Sequence, residues 1–164
     1  MPARGSKSKR GSGANSASEK QHKSTFFVDK CLGTHIVPDA LRAQGLSVEI
    51  KTDHFPQDAK DTEWLPEVGR RGWVILSKDK HLRHNYLEII SILQSQAVAF
   101  LLTSGNFTGE EMAGAFLQAM PDIRKMLEKY SPPFIATVSK TGRVRMKYTI
   151  ENLIDKVGAT RDRR

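Results

Sequence analysis

The chain has 164 residues, 38% hydrophobic and 27% charged, with a formal net charge of +8. That is one ordinary domain's length with enough apolar residues for a core. No apolar run reaches the ~18 residues of a membrane span, the single cysteine, Cys31, excludes an internal disulfide, and the opening MPARGSKSKR lacks the apolar stretch of a secretory signal. A cytoplasmic protein with no membrane partner is the expectation. The charge is uneven: residues 1–24 carry +5, residues 149–164 carry +1 and the middle only +2.

Residues 1–24 are rich in Ser, Gly, Lys and Arg and hold no aromatic residue. Such a segment cannot bury enough apolar surface to order itself, so it is expected to be a disordered basic tail. It suits an anionic partner such as nucleic acid and serves equally as a solubilising leader.

From Thr25 the pattern alternates. TFFVD is a short apolar strand that ends on an acid. VPDALRAQG is a helix with Pro38 in its first turn and Gly45 past its end. LSVEI is the second strand and residues 51–60 a polar loop. DTEWLPEVGRRG is a helix with Asp61 at its N-cap, shortened or bent at Pro66. WVILS is the third strand, and residues 81–96 form one helix with Leu82, Tyr86, Ile89, Ile90 and Leu93 on one face. AVAFLLT is the fourth strand, and Thr108 with Glu111 makes a capping box that opens a helix over 109–129. FIATVS and RVRMKY around Gly142 read as a β-hairpin. Residues 149–164 read as one amphipathic helix with a frayed basic end. Apolar strands separated by helices indicate an α/β fold with a mainly parallel sheet covered on both faces.

Sites in such sheets form beyond the carboxyl ends of the strands. The first strand ends on Asp29, the third runs into Ser77, Lys78 and Asp79, and Asp61 opens the helix feeding the third. If strands one and three are neighbours, Asp29 and Asp79 converge, and Asp61 joins them if the 51–60 loop brings its helix to the same edge. Carboxylates gathered at one edge repel unless a cation sits among them. Oxygen ligands select a hard ion such as Mg²⁺ or Mn²⁺, which can activate a water and stabilise a phosphodiester in transit. Lys78 and Lys80 flank the acid and can meet phosphates. Plainer roles exist: Asp61 as a helix cap, Asp79 as a turn residue.

The segments FFVDKCLG, DTEWLPEVGRRGWVILSKDK and FLLTSGNFTGEEMA resemble the PIN-like family, which includes toxins of VapC-type toxin–antitoxin systems. The resemblance covers residues 25–148 and is most specific over 61–80. It implies a three-layer α/β/α sandwich around a parallel sheet, here with a C-terminal β-hairpin. It also implies a Mg²⁺- or Mn²⁺-dependent ribonuclease with Asp29, Asp61 and Asp79 as its acids and Ser77 as the hydroxyl of the S/T-x-D element. RNA, a cognate antitoxin and a homodimer are the implied partners. One departure stands out. The family places another acid, often Glu, on a helix between the first acid and the one matching Asp61, and no helical Glu fills that place. Glu63 is the nearest substitute, with Asp53 and Asp58 behind it. An incomplete acid set leaves open a non-catalytic RNA-binding or protein-interaction module.

Three further features bear on the site. Arg143 and Arg145 alternate outward along the hairpin and with Lys140 form a basic strip, either a grip on a phosphate backbone or a charged edge strand that resists aggregation. Asn106 precedes a helix N-terminus beyond the fourth strand, where phosphate can be held. Cys31 has no base beside it in sequence, His81 and His84 have no third soft ligand, and Trp64 and Trp73 are expected in the core.

Overall fold

The structure is a computed structural model, and residues 24–103 and 105–162 are described. The expected basic tail lies outside them apart from Ser24. Six strands form one sheet: β1 (Thr25–Val28), β2 (Ser47–Ile50), β3 (Val74–Ser77), β4 (Val98–Leu102), β5 (Phe134–Val138) and β6 (Val144–Tyr148). Their order is β2-β1-β3-β4-β5-β6. The first five run parallel and β6 pairs antiparallel with β5, so the hairpin is the edge of the same sheet.

Alternation along the strands splits the core in two. Phe26, Val28, Leu76 and Phe100 face one way, under α1 (Ile36–Ala43) and α6 (Gly109–Lys129), with Phe116 and Ile123 completing that layer. Phe27, Ile75, Ala99 and Leu101 face the other way. There they meet Trp64 and Val68 of α3 (Asp61–Arg70), Ile89 and Ile92 of α5 (Tyr86–Ser95) and Leu153 of α7 (Ile150–Asp162). The result is the expected α/β/α sandwich. No helix among the described residues is long and apolar enough to cross a membrane.

Three local expectations differ from the fold. The polar loop after β2 begins with a single helical turn, α2 (Lys51–His54), and its first residue, Lys51, is buried. Asp61 is not the N-cap of α3; Lys60 holds that position with extended backbone (φ −75°, ψ 154°), and Asp61 is the first helical residue. The helix expected over 81–96 is broken into α4 (His81–His84) and α5, because Asn85 leaves the helical conformation (ψ 123°) and its side chain accepts from Leu87 N. Asn is favoured at such a cap. Pro66 sits inside α3, which nonetheless runs on to Arg70. The capping box of α6 forms as read, with Thr108 Oγ1 accepting from Glu111 N at 3.1 Å.

Candidate active site

The register of the central strands builds the site. Val28 lies beside Leu76, so the residues just beyond them, Asp29 and Ser77, meet at the carboxyl edge. Asp29 N donates to Leu76 O (3.0 Å) and Ser77 Oγ donates to Asp29 Oδ2 (2.9 Å). The same hydroxyl accepts from Asp79 N (3.0 Å), so one fully buried serine fixes both acids. Asp79 Oδ1 in turn accepts from His81 N (2.9 Å), which starts α4. Asp29 is 4% exposed, and its Oδ1 accepts from Lys30 N (2.8 Å).

Asp61 arrives on α3 and accepts at Oδ1 from Trp64 Nε1 (2.7 Å). Between Asp29 and Asp61 stands the ammonium of Lys51, 3.4 Å from Asp29 Oδ1 and 4.0 Å from Asp61 Oδ1. It lies 4.5 Å from the centroid of the Trp64 ring, over its face. A lysine this deep persists because carboxylates and an aromatic face compensate its lost hydration.

A fourth acid was not read from the sequence as a site residue. Glu88, in the first turn of α5, lines the same cavity of about 590 Å³ as Asp29, Asp61 and Asp79. The helix break at Asn85 sets this orientation by starting α5 at the cavity's edge. Burial, then a hydrogen bond to Asp61, then the charges of Asp61, Asp79 and Asp29 push the Glu88 carboxyl up to about 8. Glu88 Oε2 is buried and no donor faces it. These two observations describe two protonation states: ionised, the oxygen is orphaned; protonated, the carboxyl can donate to Asp61.

An orphaned buried carboxylate oxygen among mutually repelling acids is a donor set suited to a hard divalent cation. Among the described residues no three His, Cys, Asp or Glu groups are gathered closely enough to hold an ion as they stand. Asp29, Asp61, Asp79 and Glu88 are the residues that would hold the ion.

The other expected site residues fall as follows. Ser77 is fully buried and off the cavity wall, where its hydroxyl links Asp29 and Asp79. Glu63 is not among the residues lining the cavity, and its Oε2 accepts from Lys60 N (3.2 Å) at the start of α3, whereas Glu88 does line it. Lys78 and Lys80 do not line the cavity, and its cationic rim is formed by Lys30 and Lys60. Lys30 Nζ is spent on Gln57 O (2.8 Å). Asp58 lines the cavity; Asp53 and the exposed Asn106 do not. Arg143 and Arg145 line a different cavity of about 460 Å³ with Thr103, Thr137, Ser139 and Thr141, while Lys140 is drawn off to Glu111 (2.7 Å). Cys31 Sγ packs 3.3 Å from Ser77 Oγ, and burial, followed by the Asp29 charge, pushes its thiol above its ordinary value, which suits an inert thiol.

Comparison with known proteins places the chain beside one family and one curated relative. Residues 24–104 match the family model described as a PIN like domain, a span that contains all four acids. A Mycobacterium tuberculosis protein, provisionally named ribonuclease VapC45, is 27% identical over 125 residues, covering 74% of this chain and 90% of that protein. No solved structure gives a significant match.

Proposed function

Because the chain belongs to the PIN-like domain family, we propose that it is an endoribonuclease. In this reading it cleaves RNA phosphodiester bonds with Mg²⁺ or Mn²⁺ held by Asp29, Asp61, Asp79 and Glu88. The observation that carries the reading is the convergence of Asp29 after β1, Asp61 of α3, Asp79 after β3 and Glu88 of α5, with Asp58 beside them, on one cavity with a buried orphaned oxygen at Glu88. Bound there, the ion would lower the pKa of a water and offset charge on the phosphodiester. Ser77 links Asp29 and Asp79 through its hydroxyl and so sets their relative position. Glu88 would have to be ionised to ligate the ion. Lys60, exposed at the rim, is placed to meet a backbone phosphate.

The cavity at Arg143 and Arg145 lies at the same carboxyl edge of the sheet. From β3, β5 and β6 are two and three strands away, roughly 10–15 Å. In our reading it grips a second phosphate, a sequence-independent contact. The relative's VapC name motivates the toxin part of the reading, and we add to it a small antitoxin whose arm would enter the acidic cavity, with the pair in the cytoplasm. The rival reading, a non-catalytic binding module, rested on the absent helical acid between Asp29 and Asp61 together with the basic tail and hairpin; Glu88, which follows Asp79 in the chain, lines the cavity and favours the catalytic reading.

Incubating the protein with a mixed RNA pool in Mn²⁺ tests the proposal, with EDTA and Asp79→Asn in parallel. Cleavage lost in both is the expected result, with the Asp79→Asn domain still folded. An Asp79→Asn protein that cuts at the full rate sinks the assignment.

A further inference from the structure

We propose that Lys51 is the second cation of this site, so that the cavity takes one divalent ion and not two. The inference rests on the metal-binding reading above and adds to it a stoichiometry and the residue that sets it.

The argument begins with the acceptor capacity of Asp29. A carboxylate offers about four lone-pair sites, two on each oxygen. Oδ1 already takes the Lys30 N–H and the Lys51 ammonium, and Oδ2 takes the Ser77 hydroxyl. About one site remains, on Oδ2. Two ions at one centre stand about 3.5–4 Å apart. A carboxylate shared between them must give a lone pair to each, and Asp29 has one left to give. The space a second ion would need, within reach of both Asp29 and Asp61, holds Lys51 Nζ at 3.4 and 4.0 Å from their oxygens.

Lys51 is also held there. It is the first residue of α2, directly after β2, so its stem starts from the sheet itself. Its residue is 4% exposed, and the indole of Trp64 closes one side at 4.5 Å. That indole is itself tied to Asp61 through its N–H. Lys51 borders the cavity, so its ammonium can leave this position only by giving up the Asp29, Asp61 and Trp64 contacts. Lys51 acts through the acids as a positioning residue: it holds Asp29 and Asp61 together without an ion and bars a second ion from the space between them.

Counting bound Mn²⁺ on the full-length protein, by calorimetric titration with EPR measurement of the free ion, is the test. Wild type is expected to bind one Mn²⁺ per chain. Lys51→Met, which keeps an aliphatic stem against Trp64 but removes the charge, is expected to bind two. Lys51→Arg, which keeps the charge, is expected to stay at one. Two ions on the wild type, or one on both wild type and a folded Lys51→Met, overturns the proposal. Should Lys51→Met fail to fold by circular dichroism, the wild-type and Lys51→Arg counts decide: one on each supports the proposal, and two on either overturns it. The outcomes separate the two readings. No Mn²⁺ on the wild type removes the metal site itself, whereas two ions leave that site standing and remove only the role given to Lys51.

Discussion

The two ends of the sheet's carboxyl edge are built on opposite plans. At β1 and β3 the polar groups are buried and saturated: Ser77 and Lys51 have almost no solvent, and Asp29 has three donors. At β5 and β6 the guanidinium groups of Arg143 and Arg145 are exposed, beside four hydroxyl side chains, with no ion pair among the described residues. A buried, over-determined cluster holds atoms where bond-breaking needs them. An exposed, unpaired pair of arginines adapts to a flexible polyanion, and its contacts position a backbone without reading sequence. One edge thus divides fixed geometry from adjustable grip. Substitutions at the two ends should separate accordingly.

The largest effect is expected at Asp29. Asp29→Asn removes a charge facing Lys51 and leaves that ammonium with Asp61 alone at 4.0 Å. Breaking a buried pair from one side costs about 3 kcal/mol or more, and loss of the most buried acid should lower RNA cleavage by roughly 10³-fold or more. Denaturant melts and cleavage rates read the two losses separately. Intact cleavage by this variant would show that the buried end does not perform the chemistry.

Legibility followed the same division. Asp29 and Asp79 could be read because strand ends are visible as apolar runs meeting an acid, and parallel pairing of β1 with β3 then forces them together. Arg143 and Arg145 followed from alternation in a hairpin, which the exposure of β6 reproduces. Glu88 was hidden because the apolar period of Tyr86, Ile89, Ile90 and Leu93 carries across Asn85 as one helix. The break had its own signature: Asn85 followed three residues later by Glu88 is a helix-start pattern, and a first-turn acid at a helix start near a strand's carboxyl end belongs on a site list. Lys51 was hidden for another reason. A lysine in a polar stretch reads as solvated, and only the tertiary placement of Trp64 and two acids makes its burial tolerable.

At the exposed end a smaller effect is expected, on binding rather than rate. Arg143→Ala with Arg145→Ala should weaken RNA binding about tenfold at physiological salt, and the slope of log affinity against log salt should flatten by roughly one to two. Mn²⁺ binding and the melting temperature should stay at wild-type values, since neither guanidinium supports the core. Filter binding across a salt series measures this. A double variant with an unchanged slope would place the RNA elsewhere and leave the hydroxyl-lined cavity without its role.

The smallest effect sharpens the comparison most, because it reports whether the acids crowd one another in the metal-free protein. Glu88 has an ordinary carboxyl value of 4.5 and is raised in the fold to about 8, by burial first and by Asp61, Asp79 and Asp29 after it. Between those values the folded protein keeps a proton that the unfolded chain releases, so the stability tied to this group is fully present below 4.5 and is lost as pH rises through 8. Glu88 is only partly buried, so solvent screening cuts the contribution to roughly 1 kcal/mol, or about 3 °C in melting temperature. Metal-free melts in EDTA should therefore fall over that range in wild type and lose this slope in Glu88→Gln, which keeps the neutral shape at every pH. With Mn²⁺ present the direction reverses, because the ion takes the place of the proton and binds more tightly as pH rises. A wild-type melting temperature that is flat or rising in EDTA would mean that the four carboxylates do not feel one another, and the case for a cation drawn in by their repulsion would go with it.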